Sequence, residues 1–377
     1  MTAGLALPLG LAAADRARLR RRVGALAEPR PAVYRMLDAA GRVIYVGKAK
    51  RLRPRLLSYF RARFPDDKAA RILAAAQDIA WEYAPSEFSA YLGELRQIRR
   101  HRPPFNVQMN RRRNLAFVKV SAGAAPKVYA GGRPGEAGVR NYGPFRGGQR
   151  LQDALHVLNL ELGLRDCALD LPVVYREQGD LFGATRRAAC IRYELGTCAG
   201  PCGGFVTEAD YLARVEVAVA FLEGRAIAPL DRVIDAMKRA SRTAEYELAA
   251  RWRDKFDALE WLFAAGNKVR SAIDGLSFVY TDPGTFGDDR VYLIKQATVR
   301  ASAPAPHTPI EREAFRALVA THLADETPAG PLPVDTIDET VLLLGWFRRH
   351  PGALRRTVGL AEWATGHDAG RPEATSP

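Results

Sequence analysis

Residues 32–50 read Ala32-Val33-Tyr34-Arg35-Met36-Leu37-Asp38-Ala39-Ala40-Gly41-Arg42-Val43-Ile44-Tyr45-Val46-Gly47-Lys48-Ala49-Lys50. Two short β-prone runs, 32–36 and 42–46, flank a loop with Asp38 and Gly41 where a turn wants them, so this stretch predicts a β-hairpin. Side chains alternate across a strand, which points the phenols of Tyr34 and Tyr45 to one face, while Gly47 lets backbone or ligand approach closely. Outward from the hairpin the period turns helical over 49–63 and again over 66–77, and 79–83 reads as a third strand. Ser86 is placed to cap a helix that reaches Arg102, where Pro103-Pro104 stop it. Upstream, 15–26 has helical spacing around Arg20-Arg21-Arg22, and Glu28-Pro29-Arg30-Pro31 ends it.

Charge singles out the same region. The 377 residues carry a formal net charge of +14. Residues 1–115 hold 24 Lys and Arg against 9 Asp and Glu, whereas 116–377 hold 32 against 33, so the whole surplus lies in the first third. The arginines there are interleaved with Tyr45, Leu52, Leu56, Tyr59 and Phe60, which reads as a folded basic face for a polyanionic partner rather than a solvated tail. Composition is that of a globular chain of two to four domains, with 47% hydrophobic and 26% charged residues. No apolar run approaches a membrane span, and a secretory signal and a membrane location are not expected. Neither G-x-G-x-x-G after a strand nor G-x-x-x-x-G-K-[ST] occurs, so no nucleotide cofactor is expected.

Beyond the first third, 115–120 reads as a strand, 130–135 as a glycine-rich surface loop, and 150–163 as a helix. Residues 207–264 are strongly helical, with Ala249, Trp252, Phe256, Leu259 and Phe263 at three- and four-residue steps. Strand-like 276–280 and 290–294 follow, then a Pro/Ala-rich linker over 301–309, helical runs over 311–324 and 338–349, and a tail over 366–377 expected to be disordered. The only cysteines are Cys167, Cys190, Cys198 and Cys202, separated by 22, 7 and 3 residues. One close pair in a turn-rich loop favours metal binding over disulfides or four structural thiols, and spacing leaves zinc and iron–sulfur open.

Tyr34, Tyr45, Gly47, Lys48, Arg55, Glu94 and Asn106 form the first candidate site. Glu94 falls at the border of the apolar stripe Phe88, Tyr91, Leu92, Leu95 and Ile98, half-shielded as a metal ligand would be. The plain alternative is two core tyrosines, solvated cations and an ordinary Glu94–arginine pair. Ala32-Val33-Tyr34, Tyr45-Val46-Gly47-Lys48-Ala49-Lys50, Arg55, the segment Ser86–Glu94 and Arg102-Pro103-Pro104-Phe105-Asn106-Val107 together resemble the UvrC-like GIY-YIG nuclease family of bacterial nucleotide excision repair. Ala32 stands where the family's first motif has glycine, and Phe105 where tyrosine is usual. Cys190–Cys202, with 141–145 and 164–167 before it, resembles that family's cysteine segment, and 245–255 resembles its UVR helical hairpin.

The resemblance implies an α+β fold. Its parts are a basic arm over 1–27, a GIY-YIG nuclease domain with a small central sheet over 28–113, a middle domain with a four-cysteine cluster over 114–205, a UVR-like helical region over 206–265, and a small α+β region of unassigned role over 266–377. It implies a metal-dependent DNA endonuclease, cytoplasmic, that makes one incision 3′ to a lesion in UvrB-bound damaged duplex DNA, a short form lacking the family's second, RNase H-like nuclease and helix-hairpin-helix motifs. Glu94 would hold Mg²⁺ or Mn²⁺, Tyr34 would act as general base with Tyr45 ordering the water, Lys48 and Arg55 would favour the phenolate, and Asn106 would orient its neighbours. Lys50, Arg51, Arg53, Arg99, Arg111 and Arg112 are expected on the DNA, and Tyr246, Ala249, Trp252 and Phe256 on a UvrB-like helicase subunit, with Trp252 as anchor. Cys167, Cys190, Cys198 and Cys202 would carry a [4Fe-4S] cluster, with zinc as the alternative. A non-catalytic UvrB- or DNA-binding modulator, and a UvrB-independent nuclease on branched DNA, are the other functional classes that remain open.

Overall fold

The computed structural model describes residues 13–107, 115–132, 138–178, 190–323 and 330–365. Two compact units emerge: one joins residues up to 113 with 276–325 and those from 338 onward, and the other comprises 114–275 with 326–337. No helix among the described residues is long and apolar enough to cross a membrane. The architecture is α+β.

In the first unit, helix α1 (Ala13–Leu26) precedes strands β1 (Ala32–Leu37) and β2 (Val43–Ala49), helices α2 (Leu52–Tyr59) and α3 (Lys68–Ala75), strand β3 (Asp78–Tyr83), helix α4 (Glu87–His101) and the short helix α5 (Pro104–Val107). The hairpin forms where the turn residues predict it: Asp38 accepts hydrogen bonds from the backbone N–H of Ala40 and Arg42, and Gly41 takes the positive φ of +74°. The three strands are antiparallel in the order β2-β1-β3, which leaves β2 at an edge. One face of the sheet buries Ala32, Tyr34, Met36 and Tyr45 with Leu52, Leu56 and Tyr59. The opposite face buries Val33 and Val46 with Ala84 and Ala90. Ser86 caps α4 by accepting from Ser89 N–H, and Arg102 closes it in the left-handed region at φ 44° before the two prolines.

The second unit contains strands β4 (Ala116–Val120), β5 (Val128–Gly131) and β6 (Arg140–Phe145), helix α6 (Gly148–Leu162), the one-turn α7 (Ile191–Glu194), and helices α8 (Glu208–Leu222), α9 (Ala228–Arg242) and α10 (Tyr246–Asp274). Its sheet order is β5-β4-β6. The start of the glycine-rich stretch, expected as a loop, is strand: Ala130 and Gly131 pair with Val118 and Phe117, because β4 supplies a ladder that local composition does not announce. The expected 207–264 helical run is three helices, and the last continues through Asp274. Helices α9 and α10, joined by three residues, pack on each other.

The rest of the first unit is strands β7 (Phe278–Asp282), β8 (Arg290–Lys295) and β9 (Thr298–Pro304), helices α11 (Pro309–Leu323) and α12 (Ile337–Arg349), strand β10 (Thr357–Gly359) and helix α13 (Leu360–Thr365). Their sheet runs β10-β7-β8-β9. The expected linker over 301–309 is in part strand β9, paired with β8 through Ala301, Ser302, Ala303 and Pro304; its proline sits at the strand's end on an edge, where no ladder donor is needed. The tail over 366–377 lies outside the described residues.

Candidate active site

Tyr34 on β1 stands directly opposite Gly47 on β2. A Cβ at Gly47 would lie 2.5 Å from Tyr34 Oη and 2.6 Å from its Cζ, so the phenol ring occupies the space a side chain would fill. Tyr45, two residues earlier on β2, shares that face, with ring centroids 6.2 Å apart. A third phenol completes the cluster. Tyr59, at the end of α2, lies 6.0 Å from Tyr34 and 6.4 Å from Tyr45 between centroids, and its hydroxyl is 2.9 Å from that of Tyr34. Sequence reasoning leaves Tyr59 among the aromatics of the basic face. A signal for it exists: four residues after Arg55, it shares that residue's side of the helix.

Arg55 donates from Nε to Tyr34 Oη at 3.2 Å, and its guanidinium lies over the Tyr59 ring at 5.4 Å. Burial drives the Tyr34 hydroxyl well above the usual phenol range, and the Tyr45 phenol adds to this while Arg55 opposes it. Burial likewise raises Tyr59, reinforced by Tyr34. Arg55 is held protonated, chiefly by Tyr34. Tyr34 is therefore a neutral phenol with its oxygen already committed to Tyr59 and Arg55.

The period of two along β2 sends Lys48 away from the tyrosines. It was expected beside the phenols; instead its Nζ sits 4.1 Å from the ring centroid of Tyr91 on α4, across the sheet. Glu94 is on the same helix, half-buried, one turn beyond Tyr91. Gly93 brings that helix close, since a Cβ there would lie 2.9 Å from Val33 Cγ2. Asn106, buried in α5, donates from Nδ2 to Val46 O and accepts at Oδ1 from Val46 N, both at 2.8 Å. Its carboxamide thus acts as a one-residue partner for the otherwise unpaired rim of the edge strand. The arrangement wraps around β2: phenols and Arg55 on one side, Lys48 and the helix of Glu94 on the other, Asn106 along the rim.

Among the described residues no three His, Cys, Asp or Glu side chains gather as a metal-holding group. A single oxygen-donor carboxylate suits a hard cation such as Mg²⁺, which keeps most of its positions for water and substrate phosphate. The four cysteines are not among such groups in the described residues. Cys190 is exposed, Cys198 buried, and Cys167 and Cys202 intermediate. They share a neighbourhood all the same: burial raises the Cys202 thiol first, and Cys167, Cys198 and Cys190 each add to it.

Of the expected DNA-facing cations, Arg51 is exposed and Lys50 reaches Glu87 at 3.8 Å. Arg53 instead donates to the Ala27 carbonyl, and Arg99 is part-buried and paired with Glu339 at 3.5 Å, so both serve the fold. Arg111 and Arg112 lie outside the described residues. On α10, Tyr246 is 74% exposed and Ala249 intermediate. Trp252 and Phe256, expected as an open docking stripe, are partly buried against the unit's own core, and Lys255 lies 4.0 Å over the Trp252 ring while bonding Glu161 at 2.7 Å.

Residues 30–107 match the UvrC-like GIY-YIG domain family, and residues 115–221 match the middle domain of UvrC/Cho excinucleases. The first third of the chain is thus similar to the GIY-YIG domain of UvrC-like proteins, and the part that follows to their middle domain. It is 35% identical over 230 residues to the UvrABC system protein C of Escherichia fergusonii, a match spanning 61% of this chain and 36% of that one. With the same protein of Shewanella loihica it shares 32% over 228 residues, 60% of this chain and 36% of the relative. The matched part thus spans just over a third of those relatives' length. Among solved structures, the GIY-YIG N-terminal endonuclease domain of UvrC from Thermotoga maritima, bound to magnesium as its catalytic divalent cation, is 34% identical, covering 24% of this chain and 96% of that one with a TM-score of 0.21.

Proposed function

We propose that this chain is a DNA endonuclease of nucleotide excision repair that hydrolyses a single phosphodiester, 3′ to a lesion, in damaged duplex DNA presented by a UvrB-like partner. The observation that carries the reading is the Tyr34–Tyr59–Arg55 cluster over Gly47, set on an edge strand whose other side carries Lys48 and the helix of Glu94. A scaffold has no need to bury three phenols beneath a guanidinium at a glycine. Glu94 holds the divalent cation, which when bound supplies stabilisation of charge on the scissile phosphate.

With the Tyr34 oxygen engaged by Tyr59 and Arg55, the general-base role passes to Tyr45, which takes the proton of the attacking water as its phenolate. Tyr34 and Tyr59 form the hydrogen-bonded floor. Arg55 neutralises the charge that builds on phosphate oxygens, and Lys48 meets the DNA strand from the α4 side. Asn106 sets the position of β2 and with it Tyr45. The α9–α10 hairpin docks the partner; the exposed Tyr246 supports this, and Trp252 contributes mainly by holding the hairpin to its unit. Four thiols in one neighbourhood suit a thiolate-bound metal, a [4Fe-4S] cluster or zinc, and iron, zinc and sulfide content of the purified protein decides between them.

The test is incision of an end-labelled, lesion-bearing duplex with Mg²⁺ or Mn²⁺, with and without UvrA and UvrB. Wild type is expected to give one partner-dependent 3′ cut, and Glu94→Ala none, with DNA binding retained. Full activity of Glu94→Ala would overturn the metal assignment. No cut by folded, DNA-binding wild type would favour the non-catalytic modulator.

A further inference from the structure

Helix α12, outside both family-matched ranges, is fastened along α4. Glu339 pairs with Arg99, Trp346 and Phe347 pack on Phe88 at 5.2 and 6.1 Å between centroids, and Arg349 reaches Tyr91. The N-terminal end of α12 thus meets the C-terminal end of α4, and the C-terminal end of α12 meets the first half of α4, at Phe88 and Tyr91. There Arg349 donates from Nη2 to Tyr91 Oη at 3.0 Å and from Nε to Gly345 O at 2.8 Å. Its guanidinium lies 5.3 Å from the Tyr91 ring centroid, the ring that Lys48 approaches to 4.1 Å. One phenol therefore orders two cations, and they can be no farther apart than those two distances combined.

We propose that Arg349 is a positioning residue for the substrate: with Lys48 it forms a two-cation clamp on neighbouring phosphates of one DNA strand beside the hydrolytic site, and α12 exists in part to deliver it. This rests on the nuclease reading for the identity of the site. The geometry fits, because phosphates along one strand recur at an axial rise of about 3.4 Å, so two cations held on one ring are close enough to meet phosphates of the same short stretch of strand. Arg349 is exposed, and a guanidinium has five N–H donors of which its two intramolecular bonds use two, in keeping with the fork that suits phosphate oxygens. An Arg that only pinned α12 to α4 would predict no change in the ionic part of DNA binding.

The experiment measures binding of a labelled duplex by fluorescence anisotropy across a salt series, in Ca²⁺ so that nothing is cut, for wild type, Arg349→Ala and Arg349→Lys, with melting curves alongside. Arg349→Ala should weaken binding and lower the slope of log K against log salt by about 1, while Arg349→Lys, which keeps the charge, should retain the wild-type slope. In Mg²⁺, Arg349→Ala should raise KM more than it lowers kcat. A wild-type slope in Arg349→Ala, or a Lys variant that behaves like Ala, would overturn the clamp and leave a packing role. If Arg349→Ala unfolds, the Lys variant decides, since loss of affinity there at unchanged melting temperature and slope counts against a charge clamp. Binding is read without cleavage, so a wild type that binds through Arg349 but never nicks would sink the nuclease reading alone.

Discussion

Gly47 is a glycine because Tyr34 stands where its side chain would be. Any Cβ there must displace the phenol oxygen or the ring carbon bearing it, and that ring is fully buried with Tyr59 and Arg55 bonded to it. Gly47→Ala is therefore expected to lose most incision activity and to destabilise the unit by about 1–3 kcal/mol, the usual cost of overpacking a filled core. Denaturant unfolding and single-turnover nicking measure the two effects, and Tyr34→Phe, which removes the oxygen nearest the new methyl, should recover part of the stability but not the activity. That the phenols of Tyr34 and Tyr45 share a face is legible from strand alternation alone, whereas the pairing of Tyr34 with Gly47 is set by the hairpin register. The placement of Lys48 is equally legible, since it follows from the same parity, yet its proximity in sequence to Tyr45 and Gly47 suggests a shared site. Parity prevails over proximity.

At the scale of elements, α4 serves two partners. Gly93 and Ala90 face the β1–β2–β3 sheet, and Phe88 inserts into an aromatic cluster with Tyr280 and Tyr292 at 5.1 and 5.0 Å. At the helix start, Ser86 and Ser89 donate to the buried carboxylate of Asp282 on β7, and Tyr280 donates at 3.4 Å. Burial pushes Asp282 up to about 6 from its ordinary 3.8, against those hydrogen bonds and the field of Arg356. The folded chain thus keeps a proton that the unfolded chain has released, so its contribution to stability is full below about pH 4 and is lost as pH rises through about 6. A rise of that size corresponds to about 3 kcal/mol at most. Asp282→Asn should flatten that part of the stability–pH profile, seen as melting temperatures that differ from wild type in their slope between pH 4 and 6 and run parallel to it above pH 7. Sequence periodicity gives α4 a single apolar stripe and cannot show that its two edges belong to different sheets, because the partners lie almost two hundred residues away.

Across the whole molecule, residues 276–323 and 338–365 belong with the first unit rather than standing as a region apart. A chain ending at Gly275 would expose Phe88 and leave Ser86 and Ser89 without Asp282. Loss of this cluster, comparable to removing a large core aromatic, is worth about 3–5 kcal/mol, so the shortened chain should melt well below the intact one and bind a hydrophobic dye, measurable by calorimetry and fluorescence. Retained melting behaviour would show that the β1–β2–β3 sheet holds α4 unaided.

The features legible in the amino-acid order alone are local and periodic: the hairpin with its phenols on one face, the cap at Ser86, the stop at Pro103, the position of Glu94 on its helix and the basic bias of the first third. These follow from alternation, helical pitch and turn chemistry, which act within a few residues. Folding in three dimensions was needed to select which phenol is sealed under Arg55 and Tyr59, to set Asn106 as the clamp on the edge of β2, to spend Arg53 and Arg99 on the fold, and to lay α12 along α4. Those outcomes depend on burial and on contacts between residues far apart in the chain, where desolvation sets protonation and packing selects partners, and no local pattern encodes them.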